Sequence, residues 1–166
     1  MKSCTYFVEG QCEEKLLNAI KESPSIIRPG KVKVLNVIQN RLRPSHLISI
    51  KDGLIVFVFD SDVSETGNLI QNIEMVKRIC PAKTVQLVFL VQVMNLEDEL
   101  VRATDVRRIA DITGSKSKKD FKSDFLAIKD CRSVMEKHGF DIGKMWRKKP
   151  PRPFDFIPQG AGYVVS

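Results

Sequence analysis

Two hydrophobic periodicities alternate along the chain. Residues 3–8 (SCTYFV) form a short β-rich run that stops at Glu9-Gly10. In residues 11–22, Leu16, Leu17 and Ile20 recur at helical spacing, with Pro24 just past the end. Pro29-Gly30 marks a turn, and residues 31–38 (KVKVLNVI) alternate polar and apolar as a half-buried strand does. Pro44 cuts residues 40–50, which read as a loop followed by a short helix. Asp52-Gly53 turns into residues 54–59 (LIVFVF), a continuous apolar run that suits a strand buried on both faces. Residues 65–79 place Leu69, Ile73 and Val76 on one helical face, with Ile70 and Ile79 beside them and Pro81 closing the helix. A second buried strand is expected at 85–93, then one or two helices over 96–110 and a Lys-rich polar loop over 111–119 around Gly114. Residues 121–138 read as one helix with Phe125, Ile128 and Val134 apolar. KKPPRP (148–153) excludes regular structure, and an extended tail is expected over 154–166.

Strands alternating with helices predict an α/β fold: a mostly parallel four-stranded sheet with flanking helices, plus a basic helical C-terminal extension. Residues 1–104 form the expected core, and residues 105–166 form an extension and tail packed on the same domain. The 166 residues are 43% hydrophobic, enough to fill one core. No apolar run approaches the roughly 20 residues that span a bilayer, and the N-terminus has no signal-peptide pattern. A cytoplasmic protein without a membrane contact is therefore expected. Cys4, Cys12, Cys80 and Cys131 are scattered and only two histidines occur, which argues against structural zinc. Free thiols are expected, with Cys4 and Cys80 filling core space.

Charge changes this picture. Residues 1–104 hold 13 Lys+Arg against 12 Asp+Glu, a net of +1, whereas residues 105–166 hold 14 against 8, a net of +6. A basic region beside a near-neutral core suits an anionic partner, nucleic acid first, because Lys and Arg release counterions from phosphate. A solvated, soluble surface accounts for the same charge. Lys116, Lys118, Lys119 and Lys122 form one basic group; Arg147, Lys148, Lys149 and Arg152 form another beside Trp146, a residue that suits either base stacking or a core.

The candidate chemistry lies at strand ends. In open α/β sheets, functional groups gather beyond the carboxyl ends of the strands. Glu9 follows the first expected strand, Asp60-Ser61-Asp62 ends the third, and Glu13 falls four residues after Glu9 on a first helical turn. Parallel strands would bring these carboxylates to one edge, where hard oxygen ligands suit Mg²⁺ or Mn²⁺. Taken singly, either Asp also suits a helix cap, Glu9 a turn, and Glu13 an ordinary surface position. Glu97-Asp98-Glu99 after the fourth strand suits the same edge or a charged first turn.

FVEGQCEEKLL (residues 7–17) followed about 40 residues later by IVFVFDSD (residues 55–62) resembles the TOPRIM domain. That family shares a Glu, usually followed by Gly, at the end of its first strand and a DxD at the end of a later one. The resemblance covers roughly the first 60% of the chain, and the ExxxE spacing of Glu9 and Glu13 is similar to the OLD-type nucleases. It departs from topoisomerases, which present a nucleophilic tyrosine from another domain; Tyr6 lies in an expected core strand and Tyr163 in the tail. A bacterial primase adds a zinc module, and OLD nucleases carry an ATPase, whereas GSKSKKD (114–120) lacks P-loop spacing.

The resemblance implies phosphodiester hydrolysis of DNA or RNA with Mg²⁺ or Mn²⁺. Glu9, Asp60 and Asp62 would hold the metal. Glu13 would serve a second ion or act as general base, and Lys119 or Lys122 would stabilise the transition state. It also suits a role in phage or mobile-element defence, with a separate ATPase as a protein partner. The alternative is a non-catalytic nucleic-acid- or protein-binding module that retains the fold. A receiver-like domain is a weaker third reading, because its acidic pair would be adjacent on the first strand.

Overall fold

The computed structural model describes residues 3–23 and 25–165, so Pro24 and Ser166 lie outside the described residues. Four strands, β1 (Cys4–Val8), β2 (Gly30–Val34), β3 (Gly53–Asp60) and β4 (Val85–Gln92), make one sheet in the order β2-β1-β3-β4. Every pair is parallel: Cys4 lies opposite both Gly30 and Leu54, and Gly53 opposite Val85. All four carboxyl ends therefore share one edge.

Helices cover both faces. These are α1 (Gln11–Ile20), α2 (Pro44–Leu47), α3 (Gly67–Ile79), α4 (Leu96–Ala103), α5 (Ala110–Thr113), α6 (Phe121–Ala127), α7 (Cys131–Lys137) and α8 (Ala161–Val164). Alternation along a strand sorts side chains between two cores. Tyr6, Val8, Leu54, Val56 and Val58 join the cluster holding Leu16 and Leu17 of α1, Leu100 of α4 and Phe125 of α6. Phe7, Ile55, Phe57 and Phe59 join Leu47 of α2 and Leu69 and Val76 of α3 on the other face. Double coverage is why β3 is apolar at every position from Leu54 to Phe59. Among the described residues, no helix is long and apolar enough to cross a membrane.

The last third is built into both cores. Phe121, Phe125, Met145 and Trp146 enter the first, and Phe154 and Ile157 the second. Burying each Phe contributes about 1.5–3 kcal/mol. The four cysteines are free and buried.

Three elements differ from expectation. The strand expected over 31–38 stops at Val34, because the Asn36 Oδ1 accepts the amides of Ile38 (2.9 Å) and Gln39 (3.1 Å) and turns the chain. The helix expected over 121–138 divides into α6 and α7. Lys15 of α1 donates to the carbonyls of Leu126 (2.6 Å) and Ile128, and Asp130 starts the second helix by accepting the Ser133 amide at 2.9 Å. The tail is folded over the sheet edge and ends in α8, with Val165 bridging Ile27 antiparallel. The Gln159 carboxamide takes the place of a neighbouring strand along β4: its Oε1 accepts the Val91 amide at 3.0 Å, and its Nε2 donates to the Val91 carbonyl at 2.6 Å. Gly160 donates to the Phe89 carbonyl at 2.8 Å. A side chain there would meet the Val88 Cγ1 at 2.3 Å, so only glycine allows this approach.

Candidate active site at the sheet switch point

In the order β2-β1-β3-β4 the chain winds outward in opposite directions from β1 and β3. Their carboxyl ends flank the crevice where open α/β sheets place their ligands. Glu9 and Asp60 stand at these two ends and are joined directly: the Asp60 amide donates to the Glu9 Oε2 at 3.1 Å. Glu13 sits on the first turn of α1 and is 7% exposed. A Cβ at Gly10 would lie 3.3 Å from the Glu13 Oε2, so the chain between the two glutamates runs close to the Glu13 carboxylate.

Glu9, Glu13 and Asp60 line one cleft of about 350 Å³. Asn36 and Gln39 form a polar wall, Leu96, Phe121 and Leu126 an apolar one, and Glu97 and Lys122 complete the rim. The Lys122 Nζ lies 3.8 Å from the Glu97 Oε1, so α6 faces α4 across the opening. The sequence reading did not single out Asn36, Gln39 or the apolar wall, because a buried amide in a turn has no motif of its own.

Burial, reinforced by neighbouring carboxylates, disfavours the charged form of the acids in this cleft. Burial, then the neighbouring charges of Glu9, Glu13, Asp62 and Glu97, push the Asp60 carboxyl up to about 9. Burial raises Glu9, opposed by the hydrogen bond from the Asp60 amide. Burial also raises Glu13, and the Glu97 carboxylate raises Lys122, keeping it cationic. The Cys12 thiol is pushed up to about 11 by burial and then by Glu13, which disfavours the thiolate a nucleophile needs. The Asp60 Oδ1 is buried with no hydrogen-bond partner among the described residues.

The other expected site residues divide. Asp62 is exposed and outside the cleft lining, although its charge reaches Glu9 and Asp60. Between them Ser61 is a structural link, donating its amide to the carbonyls of Gln92 and Met94 and accepting the Met94 amide on its Oγ. Of the first lysine group, Lys122 lines the cleft, whereas Lys119 is exposed and lines neither neighbouring cavity. Lys116 and Lys118 line a second cavity of about 340 Å³ with Arg107 and Arg108, and Glu97 borders both cavities. Arg147 and Lys149 line a third, beside Phe156, while Lys148 is exposed and its carbonyl accepts from Gln159.

Trp146 is 1% exposed and therefore cannot stack a base. The acidic triplet separates by role: Glu97 faces the cleft, the Asp98 amide is capped by Asn95, and Glu99 is buried. Glu99 accepts the amides of Val93 and Trp146, each at 3.0 Å, and pairs with Arg102 at 2.7 Å, which makes it a structural anchor.

Compared with protein-family models, curated proteins and solved structures, the chain has no match in any of the three.

Proposed function

We propose that the chain is a divalent-metal-dependent nuclease of TOPRIM type, hydrolysing phosphodiester bonds of DNA or RNA. The observation that supports this reading best is the union of Glu9 and Asp60, with Glu13 beside them, in a buried cleft at the switch point. Uncompensated, such a group of carboxylates is costly.

Among the described residues, no three His, Cys, Asp or Glu side chains converge into a ready-made metal cage. Mg²⁺ does not require one: it is commonly held by one or two carboxylates, with waters and substrate phosphates filling the remaining positions. The unpartnered Asp60 Oδ1 and the elevated Asp60 carboxyl fit that mode of binding. Glu9 and Asp60 would hold Mg²⁺ or Mn²⁺, with Asp62 contributing charge from the rim. When bound, the ion lowers the pKa of its water and neutralises charge developing on the phosphate.

The chain's own groups supply the rest. Glu13, buried and raised, is placed to take a proton from an attacking water. Lys122, held cationic at the mouth, would bind a phosphate oxygen and oppose charge as it builds. Leu96, Phe121 and Leu126 give the cleft one apolar wall, which would strengthen both effects. Of the two lysines, Lys122 rather than Lys119 would be the transition-state cation.

The test is cleavage of single- and double-stranded DNA and RNA with Mg²⁺, Mn²⁺ or EDTA, run beside Glu9→Gln and Asp60→Asn variants. Metal-dependent cutting that both variants lack is expected. No cutting and no metal binding by the folded wild-type protein would overturn the proposal and leave a binding module.

A further inference from the structure

We propose that the tail segment 154–159 presents a stacking platform for single-stranded nucleic acid, with Phe156 beneath a base and Arg147 and Lys149 on the flanking phosphates. This inference rests on the reading of the chain as a nucleic-acid enzyme and adds a strand preference and a second contact region.

Phe156 is 57% exposed in a chain that buries Phe7, Phe57, Phe59, Phe121, Phe125 and Phe154 completely. It lines a shallow cavity of about 430 Å³ together with Arg147, Lys149, Pro150, Asp155 and Pro158. Asp155 is turned toward Arg152, at 3.7 Å, so its charge is partly met outside the pair of cations. Arg147 is steadied by donating from Nε to the Gly143 carbonyl at 2.6 Å while the side chain remains exposed. An exposed aromatic face bordered by cations combines the two contacts that single strands offer: base faces to stack and phosphates to pair.

The platform is anchored on both sides. Two residues before Phe156, the Phe154 ring packs 5.4 Å from the Phe59 ring; three residues after it, Gln159 grips Val91. Phe59 and Val91 are register partners, each immediately before the last pair of their strands, Asp60 and Gln92. Phe156 thus lies between two anchors that meet β3 and β4 next to their carboxyl ends. Such a surface loses little conformational freedom when a strand settles on it. In a duplex the base faces are stacked inside and inaccessible to Phe156, whereas an unpaired strand leaves them open.

The decisive measurement is fluorescence anisotropy of labelled single-stranded and duplex oligonucleotides in EDTA, with wild type, Phe156→Ala and Phe156→Trp proteins. Truncation of an exposed ring leaves the core intact, so Phe156→Ala should fold normally. Its affinity for the single strand should fall about 5- to 150-fold, the range of one lost stacking contact, with duplex affinity unchanged. Phe156→Trp should restore binding and show indole quenching as the strand binds. Unchanged single-strand affinity in Phe156→Ala would overturn the platform and leave the nuclease reading standing. No single-strand binding by wild type would also overturn the platform, and metal-dependent cleavage would then decide the nuclease reading separately. A dimeric wild type that becomes monomeric on Phe156→Ala would instead make this face a contact between two copies of the chain.

Discussion

Replacing Asp60 with Asn should stabilise the metal-free protein at neutral pH. In the folded chain, burial and the neighbouring carboxylates lift this carboxyl from 3.8 to about 9. In the unfolded chain it titrates near its ordinary value. Between roughly pH 4 and pH 9, then, the folded protein retains a proton that the unfolded chain has released, and stability falls by about 1.4 kcal/mol for each pH unit. Below that window the group has no effect, and above it the loss is complete. At pH 7, about three units into the window, the loss amounts to about 4 kcal/mol. An uncharged carboxamide of the same shape removes it. For a chain of this size that corresponds to a rise in Tm of about 8–16 °C. The assay is thermal unfolding from pH 4 to pH 8 in EDTA, repeated with Mg²⁺. The gain should vanish at pH 4 and grow with pH, and Mg²⁺ should raise the Tm of wild type but not of Asp60→Asn. A variant less stable than wild type at pH 7 in EDTA, or a difference that does not grow with pH, would refute the reasoning.

Glu99→Ala strands two buried amides and the Arg102 guanidinium, so it should cost about 3–5 kcal/mol in urea unfolding without altering oligonucleotide affinity in the folded fraction. Lys122→Met should lower kcat by about 10²–10³ with oligonucleotide affinity nearly preserved, whereas Lys119→Met should stay close to wild type; single-turnover kinetics separates the two. Gly160→Val should force the tail off β4, lowering Tm and producing aggregation visible by light scattering, because an open strand edge invites pairing with another chain.

What the amino-acid pattern reveals depends on whether a residue's role is local. The β3 run LIVFVF shows its double burial directly, and Leu69 with Val76 shows the buried face of α3, since both follow from side-chain period alone. The carboxylates at the ends of β1 and β3 were legible because a parallel sheet has only one edge on which strands of this kind end. The division of residues 121–138 was not, because it depends on Lys15, more than a hundred residues away, meeting the carbonyls that end α6. The same holds for Lys122 against Lys119: Lys119 lies in the turn before α6, whereas Lys122 lies on the first turn of α6 facing Glu97 of α4, and that packing decides which lysine reaches the cleft. Trp146 was ambiguous for a related reason, because its burial is set by the distant Glu99 and by the packing of the last third.

The placement of the tail also bears on how the protein is made. β3 and β4, the two most apolar strands, are complete once Gln92 has been synthesised, but their covering includes Phe121, Phe125, Phe154, Ile157 and the Gln159 clamp. At 5–20 residues per second, the about 70 residues that follow β4 take roughly 4–15 s to emerge. For those seconds the sheet lacks the covering that the last third supplies, with α1, α2 and α3 already available for its faces and the outer edge of β4 open. The carboxylate cleft shares this delay, because Phe121, Lys122 and Leu126 form its far wall. The cleft can therefore be completed only after Leu126 has left the ribosome, well after the strands that carry its carboxylates.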